Sequence, residues 1–566
     1  MAVNGTAPYG RRLLPNVLDE LRDLNPGRVY AAIPTTSDVK DGFLDVTVAD
    51  LARCVDFMAK WIEDTFGKSD GFETLTYIGL SELRGPVTFL AAVKTGYKLL
   101  LPSPRNPSSI NSSLMEQTGS TKILYADELG PLVKSLQALA PSTRTEVLPS
   151  LRQMLQSSPA RYPFLKSFDE ARNDPVVILH SSGSTGAPKP ITMTHGSFAA
   201  VDFEHIMPAP AGREKRDASF FEFDEETRMF LILPFFHLGG FWLSMCGGIF
   251  NNLTFVFGPP HIAPSPAMLK EMAQQQDLKA ILVVPAMLEQ ILHEPGGMDF
   301  LRGLKFAAVA GAPASPAVGD QASSAVELLN FIGSTETFPL PELRKAREDW
   351  LYHEFAPYVK HEMQLYDRTE GAYELVILAD EDTKDWCPLY HNVRGAKAYH
   401  TKDLFLRHPE KPKLYRYFGR IDDIIVLSNG EKVNPIPLEQ HVEGHPSVLG
   451  ALLVGNKRNK TVLVIEPTEP LAEGARASFL ETLWPRIEEA NAQIQGPGRV
   501  LPGKVVCAIS EKPFARTAKN TIIRKVTERA YQAEIEAVYA TSTSQGQGGN
   551  VRLESALRTI YKPSKL

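Results

Sequence analysis

The stretch VVILHSSGSTGAPKP, residues 176–190, decides how the rest of the chain is read. Val176 to Leu179 form a short, uninterrupted apolar run. That predicts a strand buried on both faces, the habit of a parallel sheet. Apart from Thr185, every residue from Ser181 to Ala187 is Ser, Gly or Ala, and Lys189 follows. Small side chains leave backbone N–H groups unobstructed, so Ser181, Ser182, Gly183, Ser184, Thr185 and Gly186 could wrap a phosphate chain. Lys189 would add a mobile positive charge for the outer phosphates. The plainer reading is a flexible surface turn. The loop is not a Walker A sequence, because Pro188 precedes the lysine and no Gly-Lys-Ser/Thr closes it.

Outward from this loop the alternation continues. MFLIL (229–233), LTFVF (253–257), ILVV (281–284), FAAVA (306–310) and ELLNFI (327–332) read as further buried strands, with helix-length segments at 265–275 and 285–293. From about residue 80 this rhythm predicts an α/β fold, a large N-terminal body of parallel sheets covered by helices, with functional loops at strand ends. After about residue 420 it restarts on a smaller scale. IIVL (424–427), ALLVG (451–455) and TVLVIE (461–466) are candidate strands; helices are expected near 436–443, 473–492 and 521–537. The expected division is a core over 1–419, a small C-terminal α+β lobe over 420–540 and a Ser/Gly/Gln-rich linker opening 541–566.

Composition narrows the function. At 566 residues the chain is too long for one ordinary domain. Lys+Arg 60 against Asp+Glu 66 gives a net charge of −6, so no basic excess points to nucleic acid or an anionic membrane. Any anion must be held locally. Cys54, Cys246, Cys387 and Cys507 form no CxxC pair and suit the reduced thiols of a cytoplasmic protein. Residues 235–257 are long and almost uncharged, like a membrane span, yet they contain His237, four glycines and Asn251–Asn252. A buried helix, an Asn turn and a buried strand account for them better.

Four more clusters carry chemistry. In Gly333-Ser334-Thr335-Glu336, Thr335 can donate to a phosphate and Glu336 can hold Mg²⁺ through hard oxygens. Asp403, in HTKDLF (400–405), suits ribose hydroxyls. In GRIDDII (419–425), Arg420 could reach ribose or phosphate and Asp422 is placed to be a hinge. Last comes FARTAKNTIIRK (514–525), with Lys519 on a Thr/Asn-containing loop before a helix. Each cluster alone is common turn or salt-bridge chemistry. Their order along one chain is not.

Together the five motifs resemble the adenylate-forming superfamily of acyl- and aryl-CoA ligases, luciferases and peptide-synthetase adenylation domains. The wording is most similar to the adenylation domains of fungal peptide-synthetase-like carboxylic acid reductases, in YGRRLLPNVLDEL, SSGSTGAPKPI and RTAKNTIIRK. The resemblance implies ATP and Mg²⁺ as cofactors and a small C-terminal lobe that turns between two half-reactions about Asp422. It implies transfer to the phosphopantetheine of a carrier domain outside this chain, with a reductase domain beyond it. By resemblance, residues 181–186 with Lys189 form the phosphate loop, and Gly333, Ser334 and Thr335 meet the adenylate. Glu336 holds the metal, Asp403 and Arg420 the ribose, and Lys519 bridges carboxylate and phosphate.

Three departures stand out. Ile332 replaces the usual adenine-stacking aromatic, and Thr401-Lys402-Asp403 replaces Thr-Gly-Asp. Counting back from Arg524, the usual lysine position falls on Thr521, two residues after Lys519. The resemblance also bears on substrate preference. Amino-acid-activating members of that superfamily commonly place an Asp in this segment to pair with the α-ammonium. Pro234 to Gly240 here contains no carboxylate, and Phe236, His237, Gly311 and Ala312 suit a flat aryl acid. The expected activity is therefore ATP-dependent activation of such an acid to acyl-AMP with release of pyrophosphate. A stand-alone aryl- or acyl-CoA ligase is the alternative, and a non-catalytic nucleotide-binding module is a third reading.

Overall fold

The computed structural model describes residues 7–181, 188–215, 227–472, 474–492, 494, 496–517 and 521–543. Two mixed sheets organise the large body. In the first, Glu327–Asn330, Phe306–Val309, Leu278–Val283, Arg228–Leu231, Thr254–Val256 and Val29–Pro34 run parallel in that spatial order, and Phe43–Thr47 closes the edge antiparallel. In the second, Arg144–Val147, Lys122–Tyr125, Thr74–Ile78, Lys98–Leu100 and Pro175–Ser181 are parallel, and Lys189–Thr194 pairs antiparallel at the edge. The expected strands are present, with ELLNFI ending two residues early at Asn330. The rhythm also begins well before residue 80, since Val29–Pro34 already belongs to the first sheet.

Helices Val48–Phe66 and Arg84–Lys94 fill the space around the sheets, with every residue of the second buried. The uncharged segment 235–257 does form helix, turn and strand. Helix Leu238–Trp242 passes into a fully buried π-helical stretch, Leu243–Phe250, then Asn252 at φ 58° and strand Thr254–Val256. Its glycines allow close approach: a Cβ on Gly240 would lie 2.2 Å from the Pro234 carbonyl oxygen, and one on Gly248 would lie 2.5 Å from the Tyr30 ring. No helix among the described residues is long and apolar enough to cross a membrane.

One unit departs from the expected parallel-sheet body. Tyr352–His353, Tyr415–Arg420, Ala398–Arg407, Ala372–Leu378 and His361–Asp367 build a five-stranded antiparallel sheet. Apart from a short apolar run at 375–378, its longer strands are largely half-exposed and polar and so lack the continuous apolar signature of a strand buried on both faces.

The C-terminal lobe centres on Val448–Val454, Val462–Pro467 and Val505–Cys507. Period-two alternation gives it two cores. Ala451, Leu453, Leu463 and Ile465 pack toward Ile436–Glu443 and Ala475–Asn491, while Leu452, Val454, Val462 and Val464 pack with Tyr531, Ile535 and Val538. The expected final helix is divided at Tyr531 into Arg524–Ala530 and Gln532–Thr543. The expected linker, 541–566, instead opens inside helix Gln532–Thr543, and from residue 544 onward it lies outside the described residues.

Candidate active site

The edge pairing of the second sheet sets the phosphate-loop candidate in place. His180 stands opposite Pro190 and Ser181 opposite Lys189, so the segment joins two antiparallel strands. Residues 182–187, which include Ser182, Gly183, Ser184, Thr185 and Gly186, lie outside the described residues. Ser181 is half-buried and Lys189 exposed. His180 is buried, and its Nε2 accepts from the Ser103 N–H at 3.2 Å.

The Gly333–Ser334 strand pairs with Phe338–Pro339, making residues 333–339 a tight ribbon with Thr335 and Glu336 at its bend. The Ser334 N–H donates to Thr337 Oγ1 at 3.0 Å and the Thr337 N–H to Ser334 Oγ at 3.2 Å. The bend is tied to the rest of the body. Ser197 Oγ donates to Asn392 Oδ1 at 2.7 Å, and Asn392 Nδ2 donates to the Glu336 carbonyl at 2.9 Å. Ser197 opens the helix His195–Asp202 that directly follows strand Lys189–Thr194. The helix that follows the edge strand and the bend are thus joined through two side chains, Ser197 and Asn392.

On the other side of the bend sits Tyr399, whose hydroxyl interacts with Ser334 and Glu336. Burial and the Glu336 carboxylate push it up to about 12. Tyr399 lies on Ala398–Arg407, four residues before Asp403. Asp403 is directly opposite Arg420 in the antiparallel ladder, and Arg420 Nη1 donates to Asp403 Oδ1 at 2.9 Å. Burial raises the Asp403 carboxyl to about 6 against the pull of Arg420. Ile332, half-buried, packs on the core of this same sheet. A continuous series of contacts therefore runs Ser197, Asn392, Glu336, Tyr399, with Asp403 and Arg420 on the strands beside it.

The acyl candidates form an aromatic wall. Phe236 and His237 are buried with ring centroids 4.7 Å apart, and the His237 ring lies 6.5 Å from that of His180. Phe235 packs where a Cβ on Gly85 would reach 2.7 Å, and Trp242 meets Phe331 edge-on at 6.2 Å. Gly311 (φ 93°) and Ala312 are exposed in the loop after Phe306–Val309. Next to them the Pro313 carbonyl accepts from Gln440 Nε2 of the small lobe at 3.2 Å.

Lys519 lies outside the described residues. On either side of it, the Thr517 N–H donates to the Thr521 carbonyl at 2.8 Å and the two hydroxyls are 2.6 Å apart. Arg524, the anchor of the motif, donates to Glu439 Oε2 at 2.6 Å and to the Leu453 carbonyl at 2.8 Å.

A family model described as AMP-binding enzyme matches residues 33–371, and another described as AMP-binding enzyme C-terminal domain matches 422–543. The chain belongs to the AMP-binding enzyme family. Among its curated relatives, a carboxylic acid reductase of Neurospora crassa is 31% identical, across 95% of this chain and 52% of that protein. An adenylate-forming reductase of Serpula lacrymans var. lacrymans is 27% identical over 94% of this chain and 50% of its own length. The chain therefore spans about half the length of these relatives. Among solved structures, the O-succinylbenzoate coenzyme A synthetase of Bacillus subtilis with ATP and magnesium superimposes at TM-score 0.68, with 17% identity, over 91% of this chain and 99% of that one. A benzoate CoA ligase of Burkholderia xenovorans LB400 does so at 0.66 and 17%, over 91% and 99%. These likenesses show a shared adenylate-forming fold.

Within this AMP-binding enzyme, sequence reasoning missed Ser197, Asn392 and Tyr399. They lie far apart in the chain and carry no local motif; only the contacts of Asn392 and Tyr399 with the Glu336 bend, and of Ser197 with Asn392, mark them.

Proposed function

We propose that this chain activates a carboxylic acid by adenylation. A carboxylate oxygen attacks the α-phosphorus of ATP, the α–β anhydride bond breaks, and acyl-AMP forms as pyrophosphate leaves. Charge builds on phosphate oxygens, so the site's work is positioning and electrostatic stabilisation rather than covalent catalysis. Ser181 and residues 182–186 cradle the phosphates with Lys189, Gly333, Ser334 and Thr335 approach the adenylate, and Asp403 with Arg420 holds the ribose. Lys519 is the proposed bridge between carboxylate and phosphate.

The observation that carries this reading is the contact series joining the phosphate-loop edge to the Glu336 bend and on to the Asp403 strand. It gathers chemistry from residues more than 200 positions apart. The donor set suits Mg²⁺. Glu336 is a single half-buried carboxylate on a bend whose main chain is fixed, and no group of three metal-ligating side chains occurs among the described residues. That is the provision expected for an ion held mainly by phosphates and water, with one protein carboxylate. The ion would neutralise phosphate charge.

The aromatic wall of Phe236 and His237, with no carboxylate between Pro234 and Gly240, supports an aryl acid lacking an α-amino group. The length of the reductase relatives supports transfer to a phosphopantetheine thiol on a carrier domain, followed by a reductase domain. The full-length match to CoA ligases favours a second reading, with coenzyme A as the thiol. Free thiols at Cys54, Cys246, Cys387 and Cys507 support a reducing, cytoplasmic setting.

Acid-dependent ATP–pyrophosphate exchange over aryl, aliphatic and amino acids tests the proposal. Exchange with aryl acids is expected, and ADP as product overturns it. Lys519→Ala should slow exchange by about 10²–10³, the cost of a lost oxyanion donor.

A further inference from the structure

Where the ribose motif ordinarily has glycine, this chain has Lys402, and its backbone keeps the left-handed conformation at φ 63°. A lysine there is strained relative to glycine. Its ammonium lies 3.3 and 3.2 Å from the two carboxylate oxygens of Asp422, and its carbonyl accepts from the Ile421 N–H at 2.8 Å. The next residue faces the other way. Asp423 Oδ1 lies 3.8 Å from Arg524 Nε, and Arg524 is itself bound to Glu439 and the Leu453 carbonyl inside the small lobe. Two consecutive aspartates thus clasp the two parts of the molecule, Asp422 to the body and Asp423 to the lobe. Arg420 Nη2 also stands 4.0 Å from Asp422, but its Nη1 is bonded to Asp403.

The two grips differ in the exposure of their cations. Arg524 is 19% exposed and also bonded to the buried Glu439, whereas Lys402 is 47% exposed; the two aspartates are alike at 26% and 23%. The exposed pair is the one that water and salt can loosen.

We infer that Lys402 is a positioning residue that holds the turn at Asp422 against the body and so sets how readily the small lobe leaves its present orientation. This rests on the proposed two-step reaction, in which the lobe turns about Asp422 between adenylation and thiol transfer. Lysine in place of glycine gives the hinge an electrostatic latch.

The test uses the full chain with Lys402→Met, which keeps a side chain at the left-handed position without charge, and Lys402→Arg, which keeps the charge. Amide hydrogen exchange over residues 420–424 reads the hinge through the Ile421, Asp423 and Ile424 N–H groups, all bonded in the turn. Lys402→Met is expected to accelerate that exchange by about two- to fivefold, the range for an exposed ion pair. AMP release driven by free pantetheine, relative to ATP–pyrophosphate exchange, should rise by a similar factor. Lys402→Arg should match the parent protein, and 0.5 M NaCl should move the parent toward Lys402→Met. A hinge as protected in Lys402→Met as in the parent, an unchanged ratio of the two half-reactions, or failure of Lys402→Arg to restore both overturns the inference. If no acid supports pyrophosphate exchange, the adenylation reading fails by itself, and hinge protection alone then decides the role of Lys402.

Discussion

The proposed nucleotide end and the proposed acyl end of the site are built from different forces. At the first, Ser197, Asn392, the Glu336 bend and Tyr399 are joined by directional polar contacts, with the Asp403–Arg420 pair fixed across an antiparallel ladder. At the second, Phe235, Phe236, His237, Trp242 and Phe331 fill space with rings. A hydrogen bond is lost by a small displacement, while an aromatic wall tolerates a change of shape at similar volume. The nucleotide end should therefore be sensitive to isosteric changes of charge, and the acyl end to changes of volume.

The sharpest way to break that contrast is Glu336→Gln. It keeps the shape and removes the charge, and is expected to lower ATP–pyrophosphate exchange by about 10²–10³, as for a lost transition-state contact. A loss of less than tenfold would mean that the bend does not meet the phosphates.

Phe236→Leu probes the opposite end. Stability should fall by about 1–2 kcal/mol in a denaturant titration, because the swap stays apolar but leaves a small cavity. The ranking of aryl acids by kcat/KM should shift by roughly 10–100-fold, the worth of one or two methylenes in a pocket. Unchanged ranking would remove Phe236 from the acyl wall.

Asn392→Ala leaves the Glu336 carbonyl and Ser197 hydroxyl without this partner. The expected cost is about 1–3 kcal/mol in unfolding free energy, with a loss of about tenfold in exchange if the bend relaxes. A stability loss with full activity would make Asn392 a brace of the fold alone.

The smallest effect is in pH. Asp403 has its carboxyl raised from 3.8 to about 6, so folding favours its protonated form. Its contribution to stability is complete below the unfolded value and is lost as pH rises through about 6. The proposed ribose binding at Asp403 would have the opposite sign, since an ionised carboxylate can accept from ribose hydroxyls. KM for ATP should rise a few-fold as pH falls from 7 to about 5.5, and Asp403→Asn should flatten the profile.

These contrasts also explain what was legible. The candidate phosphate loop, the GSTE bend, Asp403, Arg420 and Asp422 stand out because their residue types, small or polar, carry a local chemical signal. The buried strands stand out because a strand covered on both faces must be apolar throughout. The antiparallel sheet of 352–420 was hidden because strands such as His361–Asp367 face solvent and read as loop. Ser197, Asn392 and Tyr399 were hidden because each serves a residue distant in sequence, and one chain carries no periodic trace of such a partnership.

Sequence by itself determined the α/β class, the order of the motifs and the family to which they belong, since all three depend on residue type and local spacing. It also showed that lysine stands where the ribose motif ordinarily has glycine. Only the tertiary structure decided what that lysine does. Chain packing brings its ammonium to Asp422, 20 residues on, while Asp423 turns to Arg524. Whether a charged side chain is a solvated decoration or a latch depends on what folding sets within hydrogen-bonding distance of it, and that is a property of three dimensions.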